Sequence, residues 1–365
     1  MTTGLSEQPE KCAGSPFAAA PFIVIWEVTR ACALACVHCR AEAIPHRHPD
    51  ELTTEEGQRL IDRVAAFGGR HKPLFVLTGG DPLRRRDIVD LVRYGVGRGL
   101  SVAMTPSGTA AVTRARLEEL RDAGLARLAV SLDGSTAEAH DAFRRVRGSY
   151  RYTMRVVEDA RELGLPLQIN TTVSRQTAHD LPAIARRVED AGAVLWALFF
   201  LISVGRATAD QELVADEIEQ VLDWAVELQG RVPFGVKTTE APHHHRVLAQ
   251  RLAAVRPSVL PSGPPPVGRA RRAVTDGNGF LFVDHLGAIC PSGFLPLAVG
   301  NVRSDDLVEV YRTDPLFRAL RDPELLGGRC GRCDYRDRCG GSRARAYAAT
   351  GDPLAEDPGC AYVPR

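Results

Sequence analysis

Between Phe22 and Gly205 short apolar runs alternate with amphipathic stretches, and this alternation is the strongest constraint on how the chain can fold. Six runs read as strands: FIVIWE from Phe22, PLFVLT from Pro73, SVAMT from Ser101, RLAVSL from Arg127, LQINTTV from Leu167 and LWALFFLIS from Leu195. Between them apolar residues recur at three- and four-residue spacing, as at Leu117, Leu120 and Ala123 or at Ile184, Ala185 and Val188, the period of a helix with one buried face. Repeated strand and helix units of this kind assemble around a parallel sheet. Turn chemistry marks the strand ends, at Thr78-Gly79-Gly80-Asp81-Pro82 and Asp133-Gly134. In a parallel barrel functional residues collect at those C-terminal strand ends.

The remaining sequence divides by composition. Residues 1–21 mix Glu, Gln, Pro, Ser and small residues without periodicity and read as a disordered tail in which Cys12 is incidental. After Gly205 the strand rhythm stops, and residues 207–272 read as a connector: a helical segment from Asp210 to Gln229, the run His243-His244-His245, another helix, and a stiff linker from Pro261 to Pro266. From Ala273 to the end the composition shifts to Gly, Asp, Arg and Cys, with five of the nine cysteines, which suggests a second, cluster-bearing domain. A hydrophobic content of 44% over 365 residues supports a real core. Lysine plus arginine number 46 against 45 acidic residues, so no global field is available to hold a nucleic acid or a membrane. No signal-peptide pattern is present and no apolar run approaches the roughly 20 residues that cross a bilayer, so a cytoplasmic location is expected. In a reducing cytosol clustered cysteines are more often metal ligands or catalysts than disulfides.

Cys32, Cys36 and Cys39 form C-x3-C-x2-C directly after the first strand. Three thiolates this close can hold three irons of a cubane and leave the fourth open to chemistry. A zinc site would want a fourth ligand, and His38, adjacent to Cys39, is awkwardly placed to supply it. The spacing resembles the signature of the radical SAM superfamily, with His38 in the place of the residue, usually aromatic, before the last cysteine. The resemblance implies an α/β fold, a partial (β/α)6 TIM-like barrel over residues 22–206. It implies that S-adenosylmethionine chelates the open iron of a 4Fe-4S cluster and is cleaved by one electron to a 5'-deoxyadenosyl radical, with the His38 ring near the adenine. A reductant such as flavodoxin or ferredoxin would supply that electron.

Gly79-Gly80-Asp81-Pro82 resembles the family's GGEP motif with Asp81 in place of Glu, where glycines would let backbone carbonyls approach the methionine amino group. Ser131 and Asp133 end the fourth strand in a common family element that reaches ribose or carboxylate, or else form a solvated turn. Ser107 and Gly108, and Asn170 and Thr172, hold comparable positions and are open between pocket lining and local hydrogen bonding. After the sixth strand, Gly205 and Arg206 match an element that touches adenine, with a salt link from Arg206; a plain helix-start turn is the competing reading. His243, His244 and His245 point in different directions on any regular element and read as an exposed polar segment.

Cys330-x2-Cys333-x5-Cys339, with Cys360 downstream, offers four thiolates from one compact segment, a closed site for zinc or for a cluster. Coupled to the N-terminal motif, residues 273–365 resemble the SPASM extension, whose outer auxiliary 4Fe-4S cluster takes ligands in this order. Cys290 matches the first ligand of an inner cluster, but no partner follows near Gly300-Asn301, and Ser342 stands where a cysteine would. The resemblance therefore implies two 4Fe-4S clusters, one catalytic and one auxiliary, with Cys290 read as buried.

The run from Cys339 through Arg343, Arg345 and Tyr347 to Asp352 resembles the end of radical SAM enzymes of alternative haem biosynthesis. In those relatives the radical takes hydrogen from a porphyrin propionate, carbon dioxide leaves and an auxiliary cluster takes the surplus electron. Arg269, Arg271 and Arg272 could pair with substrate carboxylates, or form an exposed basic linker. A maturase that modifies a ribosomally made peptide is the competing enzyme. An iron-sulfur electron carrier or a zinc-stabilised binding module is the alternative outside catalysis. The expected partner is thus a small molecule or a peptide.

Overall fold

The computed structural model describes residues 15–68, 72–255 and 273–364. One ten-stranded sheet organises them. The six strands expected from sequence are β1 (Ile23–Glu27), β2 (Leu74–Thr78), β3 (Ser101–Met104), β4 (Arg127–Ser131), β5 (Leu167–Val173) and β6 (Leu195–Phe200). All neighbours among them pair in parallel. The helices between them are α1 (Thr54–Ala65), α2 (Ile88–Gly97), α3 (Arg114–Asp122), α4 (Ala137–Arg144), α5 (Ser149–Glu162) and α6 (Leu181–Asp190). Several start on side-chain caps legible in the sequence: Thr53, in a capping box with Glu56, for α1, Thr113 for α3 and Thr136 for α4.

The strand rhythm does not stop at Gly205. After α7 (Ala215–Gln229) comes β7 (Gly235–Thr239), parallel to β6, and then α8 (His243–Val255). At the other edge β8 (Phe280–Val283) pairs in parallel with β1, and β9 (Ala288–Cys290) and β10 (Gly300–Asn301) add antiparallel strands. The sheet thus runs across the boundaries expected at residues 206 and 272. The helices α9 (Leu307–Thr313), α10 (Pro315–Arg321), α11 (Gly328–Gly331) and α12 (Arg343–Thr350) complete the chain. Residues 15–21 are not loose: Ser15 Oγ bonds Asn278 Oδ1 at 2.6 Å, and the Tyr311 hydroxyl donates to the Phe17 carbonyl at 2.8 Å. Cys12, the proline-rich linker and Arg269, Arg271 and Arg272 lie outside the described residues. Among the described residues no helix is long and apolar enough to cross a membrane.

The core is continuous through the sheet, from Trp26 and Phe75 through Met104, Leu128 and Ile169 to Trp196 and Phe200. Near-continuous burial of β5 reflects the coverage of a parallel sheet on both faces. Trp26 on β1 fits because α1 carries Gly57 against it: a Cβ there would lie 2.5 Å from the indole ring. Gly57→Ala is therefore expected to destabilise the protein by about 1–3 kcal/mol, the usual effect of overpacking a core, read as a lower midpoint in denaturant unfolding.

Candidate active site

The loop from Val28 to Ile44 carries Cys32, Cys36 and Cys39 above β1 and is pinned at its neck. The Cys32 amide donates to the Ile44 carbonyl at 2.8 Å and the Ile44 amide to the Arg30 carbonyl at 3.0 Å. Thr29 Oγ1 donates to buried Glu51 at 2.6 Å. The turn after β2 presses on this neck: the Gly80 amide donates to the Thr29 carbonyl and the Asp81 amide to the Ala31 carbonyl, both at 2.7 Å. A Cβ on Gly80 would lie 2.5 Å from the carbonyl oxygens of Arg30 and Ala31, so the glycine is required by backbone meeting backbone.

A cavity of about 1080 Å³ opens at this rim. Cys32, Cys36, Cys39, His38, Gly79, Gly80, Ser131, Asn170 and Arg206 all line it, as do Ser107 and Thr172. Its apolar wall comes from Leu34, Phe199, Leu201, Ile202 and Phe294. Each thiol of the trio has a donor aimed at it. The Leu34 amide reaches Cys32 Sγ at 3.3 Å, with Ser107 Oγ at the same distance; the Ala43 amide reaches Cys39 Sγ at 3.5 Å, and Arg144 Nη1 reaches Cys36 Sγ at 3.6 Å. Burial pushes the Cys32 thiol up, and the Ser107 hydrogen bond only partly offsets it. Such a donor set fits sulfur ligands that carry negative charge.

Charges around the cavity are paired. Arg144 at the end of α4 is ion-paired with Asp133, which also accepts the Thr172 amide at 2.7 Å. Burial alone would raise the Asp133 carboxyl; Arg144 outweighs it and holds the group below the usual carboxylate range. Arg40 is paired with buried Glu27 at 2.8 Å, and Glu27 also meets His285 at 3.0 Å. His38 stacks on Phe143 with ring centroids 4.3 Å apart, and burial, reinforced by Arg144, pushes its imidazole down to about 3, so the ring is neutral. Arg206 differs, since its Nε and Nη2 are buried with no hydrogen-bond partner in the protein, as is His38 Nδ1. Orphaned donors beside a cysteine trio fit a polar, carboxylate-bearing cofactor.

Four residues expected among the cofactor contacts stand behind the cavity wall. Asp81 is buried and caps Leu83, accepting also from the Ser107 amide and Thr109 Oγ1, and so braces the turns after β2 and β3. Pro82 is buried at the start of the short helical turn that Asp81 caps. Asp133 acts by holding Arg144. Gly205, at φ 66°, lets Arg206 donate its amide to the Cys39 carbonyl at 3.1 Å; a Cβ there would lie 2.5 Å from the carbonyls of Cys39 and Arg40. Gly108 likewise packs against Thr153. Arg40 and Arg144 were not singled out by sequence; the one clue to Arg40 was its place beside Cys39.

Cys330, Cys333, Cys339 and Cys360 line a second pocket of about 380 Å³. Amides of Asp357, Tyr335 and Gly341 point at the sulfurs of Cys330, Cys333 and Cys339, each at 3.4 Å, and Arg343 Nη2 reaches Cys330 at 3.6 Å. The exposed polar segment expected at His243 to His245 is instead drawn inward: His243 and His244 are buried, and His243 lines the cysteine pocket. Burial would depress the His243 imidazole, but Asp357 at 3.1 Å and the adjoining Cys360 push it up to about 9. Among the described residues no three or more His, Cys, Asp or Glu converge as one metal ion requires. A cubane spreads its thiolates more widely than a tetrahedral zinc ion does.

Cys290 is buried, and burial with Asp284 nearby pushes its thiol up to about 12. Ser342 donates through Oγ to Glu240 at 2.6 Å, and Glu240 faces Asp276. Burial and that neighbouring carboxyl hold Glu240 well above the usual range.

Residues 26–188 match the family described as the Radical SAM superfamily. An AdoMet-dependent heme synthase of Oleidesulfovibrio alaskensis is 40% identical over 347 residues, covering 94% of this chain and 88% of its own length. A mycofactocin maturase of Mycobacterium tuberculosis is 31% identical over 351 residues, covering 93% and 83%. The structure of Streptococcus suis SuiB bound to its precursor peptide SuiA aligns with a TM-score of 0.72 at 14% identity, over 94% of this chain and 76% of that one, which shows a shared fold. The chain belongs to the radical SAM enzyme superfamily, with the AdoMet-dependent heme synthases among its relatives.

Proposed function

We propose that the chain decarboxylates a propionate side chain of a tetrapyrrole. The observation that carries this reading is the 40% identity to AdoMet-dependent heme synthases along 94% of the chain. The apolar wall of Phe199, Leu201, Ile202 and Phe294, in the same cavity as the cysteine trio, supports it because a macrocycle offers a flat apolar face.

On this reading Cys32, Cys36 and Cys39 hold a 4Fe-4S cluster that, once bound, supplies the electron for reductive cleavage of S-adenosylmethionine. Around it, His38, Gly79, Gly80, Ser131, Asn170 and Arg206 orient the cofactor, with the Arg206 guanidinium paired to its carboxylate. Leu34 and Phe294 exclude water from the radical. A propionate carbon would give its hydrogen atom to the 5'-deoxyadenosyl group, which becomes 5'-deoxyadenosine, and the substrate would then lose carbon dioxide and one electron to leave a vinyl group. Cys330, Cys333, Cys339 and Cys360 would hold an auxiliary 4Fe-4S cluster, which would supply an acceptor for that electron. A flavodoxin or ferredoxin of the cytoplasm re-supplies the catalytic site.

An iron-coproporphyrin is expected to stimulate 5'-deoxyadenosine formation by the reconstituted, reduced enzyme under anaerobic conditions and to lose carbon dioxide; stimulation by a peptide instead would make the chain a maturase. Iron analysis should give about eight irons per chain, with about half lost in Cys330→Ser and the remainder still supporting cofactor cleavage. Gly80→Ala should displace the loop neck and remove cofactor cleavage while sparing the auxiliary irons, read by iron content and product together.

A further inference from the structure

Two cations stand inside the barrel with no carboxylate to meet them. Strand residues alternate between the faces of a sheet, and partners in register in a parallel sheet share a face. Ser131, Asn170 and Thr172 line the cavity, so Arg127 and Ala129 on β4 and Gln168 on β5 face inward with them. Asn170 is in register with Ser131 on one side and Ala197 on the other, and Ala197 with Lys237 of β7, which puts the Lys237 side chain on the same inner face. Arg127 and Lys237 are both half-buried there. Arg127 Nη1 donates to Gln168 Oε1 at 3.4 Å and Gln168 Nε2 to Asn170 Oδ1 at 2.7 Å, so a hydrogen-bonded chain runs from the guanidinium to the cavity wall. Arg127 Nε is buried with no hydrogen-bond partner in the protein. The neighbours of the two cations on this face, Ala103, Ala129 and Ala197, have side chains that offer neither charge nor hydrogen bond.

Burial lowers the Arg127 guanidinium, and burial together with nearby Arg127 pushes the Lys237 ammonium down to about 8. No carboxylate among the described residues offsets either shift. At the cavity rim, by contrast, Asp133 is met by Arg144 and Glu27 by Arg40. Two like charges held close in a partly dry interior cost free energy that an anion between them would recover.

We propose that Arg127 and Lys237 form an anion-binding site inside the barrel that takes a carboxylate of the substrate. Such a group gives each cation the opposite charge it lacks, and it meets Arg127 through the Nε edge that the bond to Gln168 leaves open. On the reading above Arg206 takes the carboxylate of the cofactor, so this one belongs to the substrate. Its identity as a propionate of a tetrapyrrole rests on that same reading.

The test measures binding of iron-coproporphyrin to the reconstituted full chain by the porphyrin absorption band, beside the methyl ester of the same porphyrin, which carries no carboxylate. Lys237→Met and Arg127→Met are each expected to retain their iron and to bind the acid about tenfold more weakly, the order of one charge-assisted hydrogen bond. The ester should bind wild type and variants alike. Lys237→Met should unfold no more easily than the wild type, because it removes a buried charge that has no partner. Unchanged affinity for the acid in Lys237→Met, or equal weakening for acid and ester, overturns the proposal. So does a lowered unfolding midpoint of Lys237→Met, which would make the lysine a structural support. Failure of the wild type to bind iron-coproporphyrin would instead overturn the tetrapyrrole reading, and sodium propionate then decides the site. Against sodium chloride at equal ionic strength it should raise the thermal midpoint of the wild type but not of the doubly substituted chain, and the absence of that difference overturns the site as well.

Discussion

Everything in this molecule hangs on β1. It lies in the interior of the sheet, paired in parallel with β2 on one side and β8 on the other. The first pairing belongs to the barrel and the second to the C-terminal extension, so one strand of five residues fixes both. Its own C-terminal end launches the loop of Cys32, Cys36 and Cys39. That loop is held on the barrel side by the Gly80 and Asp81 amides and on the extension side by Arg40, whose guanidinium reaches Glu27 and the Gly293 carbonyl and lies 4.8 Å from the Phe282 ring centroid. The barrel and the first strand of the extension are therefore anchored to one rigid element that also carries the cysteine loop.

Charge is handled in the same economical way at both sites. A buried ion needs a partner, because breaking such a pair costs more than forming it gains. Asp133 meets Arg144, Glu27 meets Arg40 and His285, and Asp357 meets His243 and Arg345. In each pair one member also reaches a cysteine or the segment beside one. The fold thus delivers positive charge and N–H donors to thiols without leaving a lone buried charge behind the wall. Arg144 and Arg345 still keep buried nitrogens without a hydrogen bond, and Arg206 keeps two beside the barrel cysteines.

The six barrel strands were legible because a parallel strand buried on both faces is a run of apolar residues that needs no context. The strands β7 and β8 were not. GVKTT has one buried position in five, and FLFV is four residues long; both are strands because a neighbouring edge offers them a partner. The two cysteine clusters stood out by their spacing, which by itself left zinc as well as an iron-sulfur cluster open at each. What sequence could not supply was direction. Asp81 and Asp133 sit at strand ends where family motifs place cofactor contacts, yet both turn inward, drawn by amides and by Arg144 that lie far off in sequence. His243 has the same lesson in reverse: three adjacent histidines look solvated until Asp357, 114 positions on, supplies the charge that lets one be buried.

Ser342 shows how fully the chain has settled on a single thiol pocket outside the barrel. Its hydroxyl caps α12 by accepting the Arg345 amide at 3.1 Å and at the same time donates to Glu240 at 2.6 Å. A thiol is a weak donor and a weak acceptor, so a cysteine here would lose the cap and leave the Glu240 carboxyl without its partner in a buried site. Glu240 in turn faces Asp276, which accepts the Ala344 amide at 3.0 Å, so the carboxyl pair braces α12 against the end of β7. That pair sits beside Ser342, one of the two places, with the stretch near Gly300-Asn301, where a further cluster would need a ligand. The serine and the two carboxyls form one consistent replacement, and they leave Cys330, Cys333, Cys339 and Cys360, with His243 in the wall of their pocket, as the thiol pocket of the extension among the described residues.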